Sequence, residues 1–307
     1  MRPLTPLSML GVPVLAATLT CLATNASSQS LDSILNAADK ADLDSLASHT
    51  AQRIINADRT EPKPRVLVVD FFLGSPGVSS SLGTMLAERF SDSLRDFSEK
   101  ISVIDRKNFG EYLSKNWTTL EDLKNFPGCL YIGHELGATG IVLGSVYEQN
   151  NRIALMIHLS GFALPDDGKS EFGDQDDSIW LTPTQQMKDL LLQRGPDYAR
   201  QPEILPEEPG VARAGVSGVG MPNCVHCPDP QYANGARLAK VQGNVLLGVV
   251  VTPEGKAGTI HVLKALPFGL TTQAIKAVQQ WEFKPAQRND GTPVSAAVPV
   301  EITFRFF

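Results

Sequence analysis

The sequence is poor in the residues from which catalytic and metal sites are most often built. Its 307 residues include only five histidines and four cysteines. In "GHELG" (residues 133–137) a His-Glu pair begins like a zinc-protease helix, but Ala138 stands where the second histidine ligand would be. The loop "GSPGVSSS" (residues 74–81) has no lysine in the place that a phosphate-binding P-loop requires. We therefore predict no enzymatic activity, no cofactor and no bound metal ion.

The chain also lacks a surplus of positive charge. Its formal net charge is -6, with 42% hydrophobic and 20% charged residues. Proteins that bind nucleic acid through its phosphates need a basic surface, so we predict no nucleic-acid partner. The composition is typical of globular proteins, and the length is sufficient for two domains with separate cores.

Only one long apolar run is present, at residues 7–23 ("LSMLGVPVLAATLTCLA"). It follows a single basic residue, Arg2, and precedes the small residues Ala26 and Ser28. This pattern predicts a secretory signal peptide over residues 1–28. The alternative is an uncleaved anchor formed by residues 7–23, although this run is short for a spanning helix and contains Pro13. Membrane contact is expected only in that alternative.

Two cysteines, Cys224 and Cys227, form a C-x-x-C pair. One such pair supplies too few ligands for a structural zinc site. Pro228 follows directly, which favours an extended loop over the helix start that activates a redox thiol. Because exported proteins meet an oxidising environment, we predict a short disulfide or two unreactive thiols. Metal binding and thiol-disulfide chemistry remain as alternatives, and the role of Cys129 stays open.

Residues 31–195 alternate between apolar runs and helical patterns. A helical lead-in ends near Pro62, and "RVLVVDFF" (residues 65–72) is typical of a buried strand. Helical spacing and further strand-like runs follow, which predicts an α/β domain with a mixed sheet. The segments "VLVVDF", "VIDR" and "LGATGIVLGSV" resemble the N-terminal domain of the TolB, FlgO and CsgG group of bacterial envelope proteins. That resemblance implies a non-catalytic scaffold or assembly domain in the periplasm.

Seven prolines lie between residues 195 and 230, among glycine, glutamate and alanine. We predict a Pro-rich linker over residues 196–227 and a second domain over residues 228–307. The end of that domain has the clearest alternation in the chain, because residues 294, 296, 298, 300, 302, 304 and 306 are all apolar. This period predicts a strand with one buried face. Pro299 has no backbone N–H, which places the strand at the edge of a sheet.

Residues 228–307 resemble the C-terminal domain of TonB-family energy transducers. The resemblance rests on "PDPQY", "QGNVLLGVVVTPEGK", "GLTTQAIKAVQQWEFKPA", "DGTPV" and "VPVEITFRFF". It implies a small antiparallel sheet with two helices, so the fold class of the whole chain is α+β. It also implies a periplasmic partner, the TonB-box segment of an outer-membrane transporter, bound by edge-strand pairing. Two groups of residues would contact that segment: Pro230, Gln231 and Tyr232, and Val298, Pro299, Val300, Glu301 and Ile302.

The sequence departs from this family at its N-terminus. Residues 7–23 contain no histidine, whereas the membrane segment of a working transducer usually has one. An α/β domain also replaces the long Pro-rich spacer. We therefore expect a periplasmic docking protein, with inner-membrane anchoring by residues 7–23 as the alternative and a role in TonB-dependent transport as a hypothesis. The rival functions are an assembly component related to CsgG and FlgO, with self-association of the chain, and a thiol-disulfide protein.

Overall fold

We analysed a computed structural model, which describes residues 27–57, 63–74, 78–161, 175–196, 198 and 207–306. The predicted signal peptide or anchor, apart from residues 27 and 28, lies outside these ranges. In the part of the chain that is described, no helix combines the length and the apolar character needed to cross a membrane.

An N-terminal unit, residues 27–198, contains a sheet with helices on both faces. Its elements are α1 (Ser27–Ile34), α2 (Ala37–Ala57), β1 (Arg65–Val68), β2 (Phe72–Leu73), α3 (Ser81–Arg95), β3 (Ser102–Val103), α4 (Arg106–Lys115), a 3₁₀ turn (Glu121–Lys124), α5 (Phe126–Glu135), β4 (Gly140–Gln149), β5 (Arg152–Gly161), β6 (Gln175–Leu181) and α6 (Gln185–Leu192). The strand order is β3-β1-β4-β5-β6, with β2 beside β4. β1 pairs in parallel with β3 and β4, whereas β4, β5 and β6 are antiparallel. The sheet is therefore mixed.

The first core of this unit lies between one sheet face and the helices α1, α2, α3 and α6. Val142 and Leu155 of the sheet belong to the same buried cluster as Leu86 and Phe90 of α3. These α3 residues recur at helical spacing, so they share one face of the helix. α3 begins where the Ser80 side chain accepts a hydrogen bond from the N–H of Gly83 at 3.1 Å.

A C-terminal unit, residues 207–306, contains a smaller sheet. Its elements are β7 (Ala212–Arg213), β8 (Asn223–His226), α7 (Asn234–Leu238), β9 (Gly243–Val251), β10 (Ala257–Lys264), α8 (Leu270–Val278), β11 (Glu282–Lys284), β12 (Ala286–Gln287), β13 (Pro293–Val294) and β14 (Ala296–Phe304). The order β10-β9-β14-β7 forms the main sheet. One face of this sheet is buried in the same cluster as residues of α7 and α8. The predicted α+β fold class is confirmed.

The structure differs from the sequence-based boundary between the units. We predicted an extended linker over residues 196–227, but two of its segments pair with the C-terminal unit. β7 adds in parallel to the start of β14, and β8 pairs with β11 in antiparallel register. A small third core forms around Val219, Ala286 and Ala296. Residues 207–227 therefore belong to the C-terminal unit, because their short strands satisfy backbone groups of its sheet.

The two units share one continuous core. Phe268 of the C-terminal unit is 4% exposed, and its ring lies so close to Gly128 of α5 that a Cβ at this glycine would be 2.6 Å from the ring. The N–H of Phe268 donates to Thr118 Oγ1 at 3.0 Å, and Asn125 Nδ2 donates to the carbonyl of Ala239 at 2.6 Å. The helices of the C-terminal unit are thus covered by the N-terminal unit.

Candidate partner-docking site

The last strand, β14, is regular along its whole length. It pairs antiparallel with β9 from Ala296, opposite Val251, to Phe304, opposite Gly243. Val298, Ile302 and Phe304 are buried, whereas Pro299, Glu301 and Thr303 are exposed. Val300, on the buried face, remains half-exposed. The alternation of the sequence therefore corresponds to one face against the core and one face in solvent.

The hydrogen bonds of β14 show which residues turn their backbone groups away from β9. The N–H groups of Ala212 and Ala214 donate to the carbonyls of Ser295 and Ala297 at 2.9 and 3.1 Å, from the side that β7 occupies. Because the two sides of a strand alternate, odd-numbered residues of β14 direct their N–H and carbonyl groups to that side. Pro299, Glu301 and Thr303 continue the series.

No described residue pairs with β14 on this side beyond Ala297. The strand is internal over its first two residues, where β7 and β9 flank it, and is an edge strand from Pro299 onward. We call the outward backbone of residues 299–303 the docking edge. It offers the carbonyls of all three odd-numbered residues and the N–H groups of Glu301 and Thr303. The missing N–H of Pro299 faces outward, so this proline removes no bond to β9.

The other edge of the same sheet is less suitable for pairing. β10 shows register shifts against β9 between Ala257 and Ile260 and between Val262 and Lys264. Such irregularities interrupt the regular spacing of backbone donors and acceptors, and natural sheets use them to prevent pairing. β14 has no such shift against β9. The docking edge is thus the regular edge of the sheet.

Tyr232 lies at the far end of the docking edge. Its ring stacks on Phe306 with 5.0 Å between centroids and meets Phe304 edge-on at 5.6 Å. The Tyr232 hydroxyl donates to the carbonyl of Val241. Burial raises the pKa of this hydroxyl, against the opposing effect of nearby Arg237. Tyr232 therefore has a packing role, and Phe306 is a neighbour that the sequence analysis did not select.

The remaining predicted residues, Pro230 and Gln231, directly precede Tyr232 in the chain. Gln231 is exposed and Pro230 is half-exposed, so both are accessible beside Tyr232. Sequence reasoning could have included Phe306, because it continues the alternating apolar series of β14. The backbone N–H of Phe306 donates to Gln242 Oε1 at 3.1 Å, which holds the chain beyond β14 in place.

Cys224 and Cys227 form a disulfide in β8 and just after it. β8 pairs with β11, and Trp281 Nε1 donates to the carbonyl of Pro228 at 2.9 Å. These contacts fix the segment that leads to Pro230. Among the described residues, no group of three or more His, Cys, Asp or Glu side chains is arranged to hold a metal ion.

Comparisons with known proteins agree with the geometry of the C-terminal unit. Residues 228–306 match the family model described as the Gram-negative bacterial TonB protein C-terminal. The curated Protein TonB of Escherichia coli (strain K12) is 27% identical over 75 residues, which cover 24% of this chain and 31% of that protein. The chain therefore spans about a third of that relative.

Solved structures resemble parts of the chain. The solution structure of the Pseudomonas aeruginosa TonB CTD covers 31% of this chain and 93% of its own, at 20% identity and a TM-score of 0.25. The LpoB C-terminal domain from Escherichia coli covers 45% of this chain and 98% of its own, at 13% identity and a TM-score of 0.33. The segment 228–306 thus matches the TonB C-terminal family and is similar to part of Protein TonB.

Proposed function

We propose that this chain is a non-enzymatic docking protein of the cell envelope. Its TonB C-terminal domain binds an extended segment of an outer-membrane protein, similar to a TonB box, by adding that segment to the docking edge. The family match of residues 228–306 and the apolar N-terminal run support an exported, periplasmic protein. Involvement in TonB-dependent transmembrane transport is the specific form of this proposal.

The observation that carries the proposal is the set of outward backbone groups at Glu301 and Thr303. A guest strand gains main-chain hydrogen bonds there without displacing any described neighbour of β14. β7 ends the available edge at one side, and the Tyr232–Phe306 stack borders it at the other. The accessible edge is short, so the guest pairs over a few residues only.

The TolB/FlgO/CsgG-like N-terminal unit would position this site. Because the core and the hydrogen bonds described above join it to the helices of the TonB domain, the domain has a fixed place on the N-terminal unit. In this proposal the N-terminal unit is a scaffold, and the docking edge projects from it.

Peptide titration tests the proposal. A fluorescent TonB-box peptide is titrated with the purified chain, and with the variants Glu301→Pro and Glu301→Ala. Glu301→Pro removes one outward N–H, so we expect peptide affinity to fall about fivefold to tenfold, the loss of one hydrogen bond. Glu301→Ala keeps that N–H and should bind as the original chain does.

Two results would contradict the proposal. One is no peptide binding at millimolar protein. The other is a loss of peptide affinity in Thr259→Glu as large as the loss in Glu301→Pro, because the exposed Thr259 lies on the irregular edge formed by β10. Circular dichroism of each variant verifies that the fold is retained.

A further inference from the structure

The N-terminal sheet has a second, open face on its antiparallel half. Directly opposite residues share a face, and the register sets Leu143 beside His158, Ser145 beside Met156 and Tyr147 beside Ala154. β6 continues these rows with Asp176, Ser178 and Trp180. Met156 is 38% exposed at the centre of this surface. We call these nine residues, with Arg152, the open sheet face.

The composition of the open sheet face is typical of a protein interface. It carries Tyr147, Arg152, Met156 and Trp180, four residue types that are enriched where proteins meet. Lysine and glutamate, which interfaces usually avoid, are absent from these ten positions. The ring of Tyr147 meets Trp180 edge-on at 6.5 Å, so the aromatic side chains already have fixed positions.

The charges on this face are arranged at opposite ends. At one end the Arg152 guanidinium lies 5.5 Å from the centroid of the Trp180 ring. At the other end lies Asp176, whose side chain is 72% exposed and whose Oδ1 accepts a hydrogen bond from His158 Nδ1 at 2.8 Å. Arg152 and His158 are six residues apart on β5, so the two ends are separated by about 20 Å. Met156 lies between them.

We propose that two copies of this chain associate through their open sheet faces. A two-fold axis that lies between the copies and crosses the strands at Met156 places Trp180 of each copy opposite Asp176 of the other, because both lie two residues from the Met156 row. The Arg152 guanidinium lies over Trp180, so it faces Asp176 of the other copy. The axis also places Met156 of one copy against Met156 of the other, as an isologous interface requires. The partner is thus a second copy, selected by self-complementary charge.

The same axis accounts for a cavity on this face. A space of about 290 Å³ lies between the sheet and the 3₁₀ turn, lined among others by Phe72, Leu123, Leu143 and Met156. The axis sets Tyr147 of the second copy over this cavity, because Tyr147 and Leu143 are equally distant from the Met156 row on β4. An aromatic ring fills an apolar space of this kind.

The size of the face limits the strength of the association. Three strands and six residues give a surface about 14 Å by about 20 Å. Such an area is below the range of standard stable interfaces, so we expect a weak dimer that forms only as concentration rises. This self-association does not involve the docking edge and stands apart from the proposed function.

Charge-reversal variants test the dimer. Their association is measured by sedimentation equilibrium at protein concentrations between about 1 µM and about 1 mM. Arg152→Glu sets two carboxylates against each other, and Asp176→Arg sets two guanidinium groups against each other. Each should weaken association at least about tenfold, because facing like charges repel. The double variant restores opposite charges and should recover the original dissociation constant.

A cross-linking arm and a control complete the test. Met156→Cys should form an intermolecular disulfide on oxidation, whereas Leu192→Cys, an exposed residue of α6 outside this face, should form much less. Glu301→Ala should leave association unchanged. The proposal is overturned by a monomer at 1 mM, by a double variant that stays as weak as the single variants, or by equal cross-linking at both positions.

Discussion

The C-terminal unit has two contrasting surfaces. Its helix side, formed by α7 and α8, packs against the N-terminal unit, whereas the outward side of the docking edge pairs with no described residue. On the helix side, Phe268 is enclosed against Gly128 and Asn125 bonds to Ala239, so side chains of both units interdigitate. Along β14, the outward N–H groups of Glu301 and Thr303 have no described partner in the sheet. The first surface fixes the position of the domain, and the second leaves backbone groups unpaired. In the proposed function, orientation and binding would therefore use separate surfaces.

We expect the largest loss of stability when the packing between the helix side and the N-terminal unit is removed. Phe268→Ala removes a buried aromatic ring at the junction, and we expect the free energy of unfolding to fall by about 3–5 kcal/mol. Because the ring joins the two units, their unfolding should also separate into two transitions. Urea denaturation followed by circular dichroism and tryptophan fluorescence measures both effects.

Glycine variants provide the matched control for this junction. Gly128→Ala places a methyl group 2.6 Å from the Phe268 ring and should destabilise the chain, whereas Gly220→Ala meets no atom closer than 3.5 Å and should be nearly neutral. Equal stability of both glycine variants would show that the units are not packed at Gly128.

The sequence predicted the docking edge better than the helix side, for a physical reason. Alternation over residues 294–306 and the proline at position 299 are local signals. The alternation describes β14 as the structure has it, whereas the predicted edge position holds only from Pro299 onward, because β7 flanks Ala296 and Ala297. The contact between Phe268 and Gly128 joins residues far apart in sequence, which no periodicity encodes. β7 is also absent from the pattern, because a strand of two residues, Ala212–Arg213, is too short to show a strand period.

The disulfide allows a smaller perturbation near the docking edge. Replacing Cys224 and Cys227 by serine should lower the free energy of unfolding by about 1–2 kcal/mol, since the closed loop is short. Affinity for a TonB-box peptide should fall only slightly, because the segment before Pro230 is also held by Trp281. Thermal unfolding and peptide titration of the double variant measure these quantities. A large loss of stability without loss of the fold would contradict the short-loop argument.

Tyr232 distinguishes packing from docking at the end of the edge. Tyr232→Phe keeps the stack on Phe306 but leaves the Val241 carbonyl without its donor, so we expect a loss of about 1 kcal/mol in stability. Peptide affinity should remain unchanged if the hydroxyl serves packing only. Urea unfolding and peptide titration are compared for this variant, with Tyr147→Phe on the N-terminal unit as the control. A selective loss of peptide affinity would instead assign the hydroxyl to the guest.

The smallest expected effect concerns Cys129, which is buried in α5 on the helix side. Burial raises the pKa of its thiol to about 12, from an ordinary value near 9. The unfolded chain therefore releases this proton at lower pH than the folded chain, so stability is full below about pH 8 and declines as pH rises towards 12. At pH 9 the loss should be below about 1 kcal/mol, and Cys129→Ala should remove this part of the pH dependence.

Alkylation of Cys129 measures the same enclosure directly. Iodoacetamide should modify it only as the junction opens, so labelling in the native protein should be slow and should accelerate in Phe268→Ala. Cys224 and Cys227 form a disulfide, and a Cys21→Ala background removes the other thiol of the sequence from the readout. Rapid labelling of the native protein would show that the helix side opens easily, and the contrast with the docking edge would then disappear.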